Sequence, residues 1–329
     1  MEEAYRVIQV HRDRYLVRKE KEELFCVLTG NLRYRNEFPV VGDYVGIKVN
    51  PYGDSLIQSI RPRRTVFCRP DRGGHADGFV KTMQIQPLIA NMDYVFILTS
   101  LNRDFSINRI ARYAAVTSAG GATPVAVLTK ADLCPNVKEM EEKAASLSRD
   151  LQTVSISAYT GYGLERLRTY FSPGVTIALL GSSGAGKSTL INTLAGREIM
   201  RTGGIREEDS KGRHTTTHRE LIELDGTFLI DTPGLRELGM IDAEEGIAGT
   251  FSDIAEWISQ CAFSDCTHRT EPGCAVRKAL EDGSLSPERW KTYCRLEKEN
   301  SWSKTRKNEM MMNIAMERRK RGKTQKRNA

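Results

Sequence analysis

The sequence predicts a multidomain chain with three parts: an N-terminal OB-like β-barrel, an α/β phosphate-loop domain, and a C-terminal α-helical, metal-binding unit. Three observations carry that reading. Residues 1–70 hold five short β-rich runs broken by turn formers. From about residue 85 to 233 buried-strand patterns alternate with helical ones, and GSSGAGKST at 181–189 falls between a strand and a helix. Residues 261–274 then gather three cysteines and a histidine between helical stretches.

The barrel runs are RVIQV, RYLVRK, ELFCVLTG, DYVGIKV and SLIQSI, separated by Gly30-Asn31, Gly42-Asp43 and Pro51-Tyr52-Gly53. Five strands in so short a length favour a small closed barrel, with the OB-fold the economical choice, over residues 1–72. Such barrels often bind single-stranded nucleic acid. The segment 61–80, RPRRTVFCRPDRGGHADGFV, reads as a linker or loop.

The second unit spans 84–240. DYVFILTS (93–100) and TPVAVLTK (123–130) are buried-strand patterns around a helix at 107–119. A helix near 136–150 leads to TVSISA (153–158), and one near 163–171 leads to VTIALLG (175–181). A helix beginning at the phosphate loop and the strands RELIEL (219–224) and TFLIDTP (227–233) complete it. Repeated βα units of this length imply a parallel sheet covered on both faces.

The pattern G-x-x-x-x-G-K-[ST] covers Gly181, Ser182, Ser183, Gly184, Ala185, Gly186, Lys187 and Ser188, followed by Thr189. Between strand and helix, its backbone N–H groups can cradle a polyphosphate. Lys187 supplies charge to the β- and γ-phosphates, and Ser188 a hydroxyl for Mg²⁺. In DTPG at 231–234, Asp231 can reach the Mg²⁺ shell and the Gly234 N–H the γ-phosphate. The polar stretch 202–218 reads as a switch loop, in which one of Thr215, Thr216 and Thr217 is the second Mg²⁺ hydroxyl. TKAD places Thr129, Lys130, Ala131 and Asp132 at a strand end. The Asp132 carboxylate can accept from guanine's N1–H and exocyclic amine, a pair that adenine lacks, while Lys130 packs over the base. Ser157 and Ala158 are candidates to bring backbone N–H groups to the guanine oxygen.

The segment CAFSDCTHRTEPGC has the spacing C-x4-C-x-H-x5-C: Cys261, Cys266, His268 and Cys274. Three thiolates and one imidazole make a closed tetrahedral set, the pattern of one structural Zn²⁺. With no ligand position left for water, a zinc-dependent hydrolase is disfavoured. IAGTFSDIAEWI (247–258) and SPERWKTYCRLEKEN (286–300) read as helices, giving a small zinc-binding unit over 241–300.

Net charge is +7, but residues 301–329 hold ten Lys or Arg against Glu309 and Glu317, leaving 39 basic against 40 acidic residues in the remainder. The tail 301–329 is therefore expected to be a disordered, basic segment facing a polyanion such as RNA. Seven cysteines, three of them clustered, suit a reducing compartment. No apolar run approaches the ~20 residues of a bilayer span. The N-terminus lacks a signal-peptide stretch. The expectation is a cytoplasmic protein without a membrane partner.

The order of these motifs is the strongest sequence signal. TKAD, then SISA, then the phosphate loop, then GRHTTT, then DTPG is a GTPase motif set with its parts rotated. With a barrel before it and a Cys/His knuckle behind, the chain resembles the RsgA (YjeQ) family of circularly permuted, ribosome small-subunit-dependent GTPases. The resemblance implies GTP/GDP and Mg²⁺ as ligands, the 30S subunit and its 16S rRNA as partners, a monomeric state and a zinc knuckle. It also implies hydrolysis stimulated by the particle. Leu235 stands where many GTPases carry a water-orienting glutamine, so intrinsic hydrolysis is expected to be slow, and the family suggests His214 as the catalytic substitute. Thr129 departs from the more common Asn. The permutation places the γ-phosphate sensor directly before the zinc-binding unit, an expected route of transmission. The alternative reading is an RNA-binding assembly regulator that uses nucleotide only as a structural switch.

Overall fold

The computed structural model describes residues 4–70, 85–102, 104–148, 151–200, 219–232, 243–302 and 304–305. The N-terminal runs fold as β1 (Ala4–Val10), β2 (Tyr15–Lys19), β3 (Glu22–Leu28), β4 (Tyr44–Lys48) and β5 (Ser55–Ile60). They are ordered β1-β2-β3-β5-β4, and a β1–β4 pairing closes the barrel. Tyr5, Val7, Tyr15, Val17, Cys26, Val45 and Ile57 fill it. Gly30-Asn31, expected as a turn, instead opens the short helix α1 (Gly30–Tyr34), which contributes buried Leu32.

The stretch expected to be a linker contains a strand. β6 (Val66–Pro70) pairs antiparallel with β7 (Ile85–Ala90). Its single apolar pair, Val66-Phe67, is flanked by arginines and prolines, which masked the pattern. Phe67 is fully buried in the same apolar cluster as Leu88 and Ile89 of β7.

The α/β unit has β8 (Tyr94–Ser100), α2 (Ile107–Ala119), β9 (Thr123–Thr129), α3 (Val137–Ala145), β10 (Gln152–Ser155), α4 (Leu164–Arg168), β11 (Thr176–Gly181), α5 (Lys187–Ala195), β12 (Glu220–Leu224) and β13 (Thr227–Asp231). The spatial order is β10-β9-β8-β11-β13-β12, all parallel except β12. Period-two alternation splits the buried residues between two faces. Ile97, Leu128 and Leu180 face α2 and α3. Phe96, Val127 and Leu179 face α4 and α5 through Leu167, Leu190 and Ile191.

The sheet does not end at β12. β12 pairs antiparallel with β1, at Gln9↔Glu220, so the barrel and the α/β sheet are continuous through eleven strands. Arg6 spans that seam: its Nη2 donates to Thr176 Oγ1 at 2.6 Å, and its guanidinium lies 4.6 Å from the Phe228 ring centroid and 5.1 Å from that of Tyr44.

The C-terminal helices are α6 (Glu244–Thr250), α7 (Ser252–Ser259), α8 (Ala275–Glu281) and α9 (287–302). The helix expected at 247–258 is broken at Phe251, whose non-helical backbone (φ −122°, ψ 42°) turns its ring into the core. These helices have no separate core. Ile247, Phe251, Ile254, Val276, Leu285 and Leu296 belong to the same apolar cluster as Ile110, Ala111 and Ala114 of α2. Gly246 makes the close crossing possible, because a Cβ there would lie 2.0 Å from the Ala115 carbonyl oxygen.

Candidate functional site

Four motif-bearing loops leave the C-terminal ends of four parallel strands: β9, β10, β11 and β13. Motifs distant and rotated in sequence are thereby brought to one sheet edge, where open α/β sheets bind ligands.

The phosphate loop follows β11. Gly184 (φ +83°) and Gly186 (φ +91°) occupy left-handed backbone that side chains resist. Lys187 and Ser188 open α5, and the Lys187 Nζ donates to the carbonyls of Gly181 at 2.9 Å and Ser182 at 3.2 Å. The lysine thus lies across its own loop, its charge held at the place a phosphate would take.

The base-reading strand end is tied to this loop. Thr129 is buried, and its Oγ1 donates to the Ala185 carbonyl at 2.8 Å. The threonine that departs from the usual Asn therefore braces the phosphate loop rather than pointing to solvent. Lys130 adopts left-handed backbone (φ +60°), after which Ala131 donates its N–H to the Ile156 carbonyl at 3.0 Å. That turn leaves Asp132 exposed at the sheet edge beside the 155–158 loop.

Ser157, the other candidate for the guanine oxygen, is engaged within its own loop. The Ser157 N–H donates to the Tyr162 carbonyl at 2.9 Å and Ser157 Oγ accepts from the Thr160 N–H at 3.2 Å, so Ser157 closes its own loop. Its backbone donor is already spent, and the neighbouring Ala158 remains as the candidate for a guanine oxygen.

Asp231 ends β13, two strands from β8 and next to the phosphate-loop strand. Its Oδ1 is buried with no hydrogen-bond partner among the described residues. Burial pushes its carboxyl up, and the nearby Lys187 only partly opposes this. A buried carboxylate with an unfilled oxygen, at the end of the strand next to the phosphate loop, is the kind of oxygen donor a divalent cation takes. Because the folded pKa is raised, ionisation of Asp231 destabilises the cation-free fold as pH rises through that value. Thr232, next along, is buried and donates its hydroxyl to the Leu179 carbonyl. His214, Thr215, Thr216, Thr217, Leu235 and Gly234 lie outside the described residues.

Sequence reasoning missed Asp104. In the loop after β8 its carboxylate accepts from the Ser182 hydroxyl and pairs with Arg109 Nη1 at 2.8 Å. It buttresses the second residue of the phosphate loop from 78 positions away, a contact with no local sequence signal.

The Cys/His cluster is the second site. Its four ligand atoms lie within 4.8 Å of one another. Cys261 Sγ is 3.9 Å from Cys274 Sγ and 3.6 Å from His268 Nδ1, and Cys274 Sγ is 3.5 Å from that nitrogen. Tetrahedral zinc with ordinary bond lengths requires S–S edges of about 3.8 Å and S–N edges of about 3.5 Å, which the three atoms of Cys261, His268 and Cys274 match, with Cys266 within 4.8 Å of them. Cys274 is also the N-cap of α8 and accepts from the Arg277 N–H. Glu271 knots the loop between ligands, accepting from the backbone N–H groups of Thr267, Arg269 and Thr270, each at 3.0 Å. Those donors hold its carboxyl far below the usual range, the Thr267 hydroxyl foremost.

Comparison with known proteins places this geometry. Residues 60–241 match the family model described as RsgA GTPase. A "Small ribosomal subunit biogenesis GTPase RsgA" of Opitutus terrae is 42% identical over 92% of this chain and 84% of its own length. "Small ribosomal subunit biogenesis GTPase RsgA 2" of Lactiplantibacillus plantarum is 42% identical over 90% and 83%. Among solved structures, YjeQ from Thermotoga maritima superposes with a TM-score of 0.66 at 27% identity, covering 89% of this chain and 96% of that one. YloQ, described as a circularly permuted GTPase, shares the fold with a TM-score of 0.64 at 24% identity over 92% and 95%. With the rotated loops at one sheet edge and identity sustained through barrel, sheet and helices, the chain belongs to the RsgA GTPase family.

Proposed function

We propose that the chain is a GTP hydrolase of small-ribosomal-subunit biogenesis, with its guanine-nucleotide site at the edge formed by β9, β10, β11 and β13. The observation that carries this is the convergence of the rotated motifs, with Thr129 physically tied to the phosphate loop. The family implies GTP/GDP and Mg²⁺. Asp132 and Ala158 are assigned to the guanine edge, with Lys130 along the base plane. The loop from Gly181 to Thr189 wraps the phosphates, and Lys187 exchanges its two carbonyl partners for phosphate oxygens. Ser188 and Asp231 hold Mg²⁺, which neutralises developing charge when bound. Thr215, Thr216 or Thr217 completes the switch side, Gly234 senses the γ-phosphate, and His214 orients the attacking water. Hydrolysis adds water to the γ-phosphorus and breaks its bond to GDP, releasing phosphate.

Zn²⁺ at Cys261, Cys266, His268 and Cys274 is structural, because all four positions are protein donors. The barrel (1–72), GTPase unit (84–240), helical unit (241–300) and basic tail (301–329) act together on the 30S subunit through 16S rRNA, as a monomer. No helix among the described residues is long and apolar enough to cross a membrane, and the reading places the protein in the cytoplasm with the ribosome. The test is hydrolysis of GTP against ATP with added 30S, 50S or 70S particles. GTP-selective turnover stimulated by 30S alone is expected. Nucleotide binding without turnover in any mixture would favour the switch-only regulator.

A further inference from the structure

The residues of the Cys/His cluster arrive on one stretch of chain as two arms, and each arm is braced differently. Cys261 and Cys274 stand at its ends, tied by a backbone bond from the Ala262 N–H to the Gly273 carbonyl at 3.2 Å. Gly273 takes left-handed backbone there (φ +72°), and a Cβ on it would lie 2.9 Å from that of Ala262. Cys274 is fixed again by the first turn of α8, whose Arg277 N–H donates to its sulfur. Cys266 and His268 belong to the loop between, which has neither helix nor strand to hold it. His268 is the strained member of that loop. Its φ of +59° lies in the left-handed region, which a residue with a Cβ keeps only where its surroundings impose it. Glu271 imposes it. The Thr267 N–H donates to its Oε1 and the Arg269 N–H to its Oε2, each at 3.0 Å, so one carboxylate grips the chain on either side of the histidine. The Thr270 N–H adds a second bond to Oε2, and the Thr267 hydroxyl a second to Oε1. Bonds to an ionised acceptor are the stronger kind. Trp290 then locates the ring, meeting it edge-on at 5.5 Å. Held in this way, Nδ1 lies 3.6 Å from the Cys261 sulfur and 3.5 Å from that of Cys274.

We infer that Glu271 is a positioning residue of the metal site, setting metal affinity through His268 by holding its backbone in the conformation that aims Nδ1 at the two sulfurs. This rests on the proposed reading that Cys261, Cys266, His268 and Cys274 hold one Zn²⁺. Without the carboxylate, residue 268 relaxes to ordinary backbone, the imidazole swings away, and the metal is left on three thiolates. Residues that orient a metal ligand are commonly worth ~10–100-fold in affinity. The two oxygens of Glu271 can be tested in part separately. A glutamine keeps one acceptor oxygen, but its amide nitrogen accepts nothing, so one of the two bonds flanking His268 is lost. An alanine loses both.

The test uses the full chain, with Zn²⁺ affinity measured by competition against a chelator of known strength and the visible absorption of Co²⁺ bound in place of zinc. Glu271→Ala is expected to weaken Zn²⁺ binding ~10–100-fold and Glu271→Gln by less. Both are expected to move the Co²⁺ spectrum toward that of His268→Ala. In a His268→Ala background, Glu271→Ala is expected to change affinity by no more than about twofold, because the residue through which it acts is gone. A carboxylate that merely stabilised the loop would weaken binding equally in both backgrounds, and that result would overturn the inference. Parent-like affinity with an unchanged Co²⁺ spectrum in Glu271→Ala would overturn it too. Glu271→Gln keeps the size of the side chain and carries the same comparison if Glu271→Ala fails to fold. A parent chain that takes up no stoichiometric Zn²⁺ defeats the zinc reading itself. One tight Zn²⁺ in the parent and in the Glu271 variants alike defeats only the role given to Glu271.

Discussion

The barrel and the helices that carry the Cys/His cluster both flank the GTPase sheet, yet they are joined to it by different physics. The barrel has its own core around Val7, Val17, Val45 and Ile57. It meets the sheet through the β1–β12 pairing, polar contacts centred on Arg6, and Ile8 and Val41, which join the apolar cluster beneath the sheet. The helical unit has no such independence, because its apolar residues and those of α2 form one cluster. A body with most of its core to itself can shift as a unit at the cost of its seam contacts and a few apolar side chains. A body that shares its core cannot move without exposing apolar area, at about 25 cal/mol per Å². The transmission expected from the motif order, through the chain after Gly234, therefore runs toward the less movable neighbour. The more movable one hangs from β12, beside the switch.

The largest effect expected from this contrast is that of the metal. His268 packs edge-on to Trp290 at 5.5 Å, Trp290 stacks on Tyr293 at 5.5 Å, and Tyr293 meets Phe251 at 5.6 Å. This aromatic ladder runs from the Cys/His cluster into the core shared with α2. Structural zinc contributes ~10–16 kcal/mol in small zinc-finger peptides. Chelation, or Cys266→Ser, is expected to abolish hydrogen-exchange protection across 243–302 and to lower it in α2, leaving β1–β5 protected. Unchanged protection in α2 would show the helices to be a separate domain after all.

Next in size is Phe251→Ala, which removes a fully buried ring under Arg289, whose guanidinium lies 4.8 Å from it. A loss of about 3–5 kcal/mol is expected, appearing as one cooperative transition of sheet and helices together. Ile57→Ala in the barrel should cost about 2–5 kcal/mol, but in a transition confined to residues 4–60. Calorimetry of the two variants reads the difference as one shifted peak against two separated ones.

Much of this was legible in the sequence, because strands buried on both faces read as continuous apolar runs and the phosphate loop has a fixed grammar. The helix at Ile107–Ala119 and the strand at Ser55–Ile60 match their sequence patterns to the residue. What was not legible depended on partners far along the chain. Gly246 carries no local signal of a helix crossing, Asp104 none of the phosphate loop it supports, and Phe251 interrupts a helical pattern only because its ring is needed in the core. Strand β6 was missed because two apolar residues between arginines and prolines cannot establish a period. The hydrogen bond by which Thr129 ties its strand end to the Ala185 carbonyl likewise carries no local signal.

A smaller effect is expected at Arg6. Its Nε and Nη1 are buried without hydrogen-bond partners among the described residues, and burial lowers its pKa. Arg6→Ala loses the Thr176 bond and the two ring contacts, at about 2 kcal/mol. Arg6→Met fills the space without a buried cation and should recover most of that loss. Chemical denaturation monitored in the barrel checks both. Equal destabilisation by Ala and Met would mean that the charge, rather than the packing, fastens the seam.

The smallest effect is the most informative about movement. Arg18 is shared between Glu23 of its own barrel at 2.5 Å and Glu223 of β12 at 3.2 Å, and the two carboxylates are 41% and 42% exposed. Exposed pairs of this kind are worth ~0.2–1 kcal/mol, and salt screens them. A double-mutant cycle on Arg18→Ala and Glu223→Ala should give a coupling in that range, decreasing with ionic strength. Because Glu23 keeps Arg18 anchored to the barrel, the Glu223 coupling measures only the distance between barrel and switch hairpin. Run with GDP and then with a GTP analogue, an unchanged coupling means the barrel travels with β12 in both states. A coupling that vanishes in one state means the seam opens there, and the barrel, not the helices around the Cys/His cluster, is the part that responds to the nucleotide.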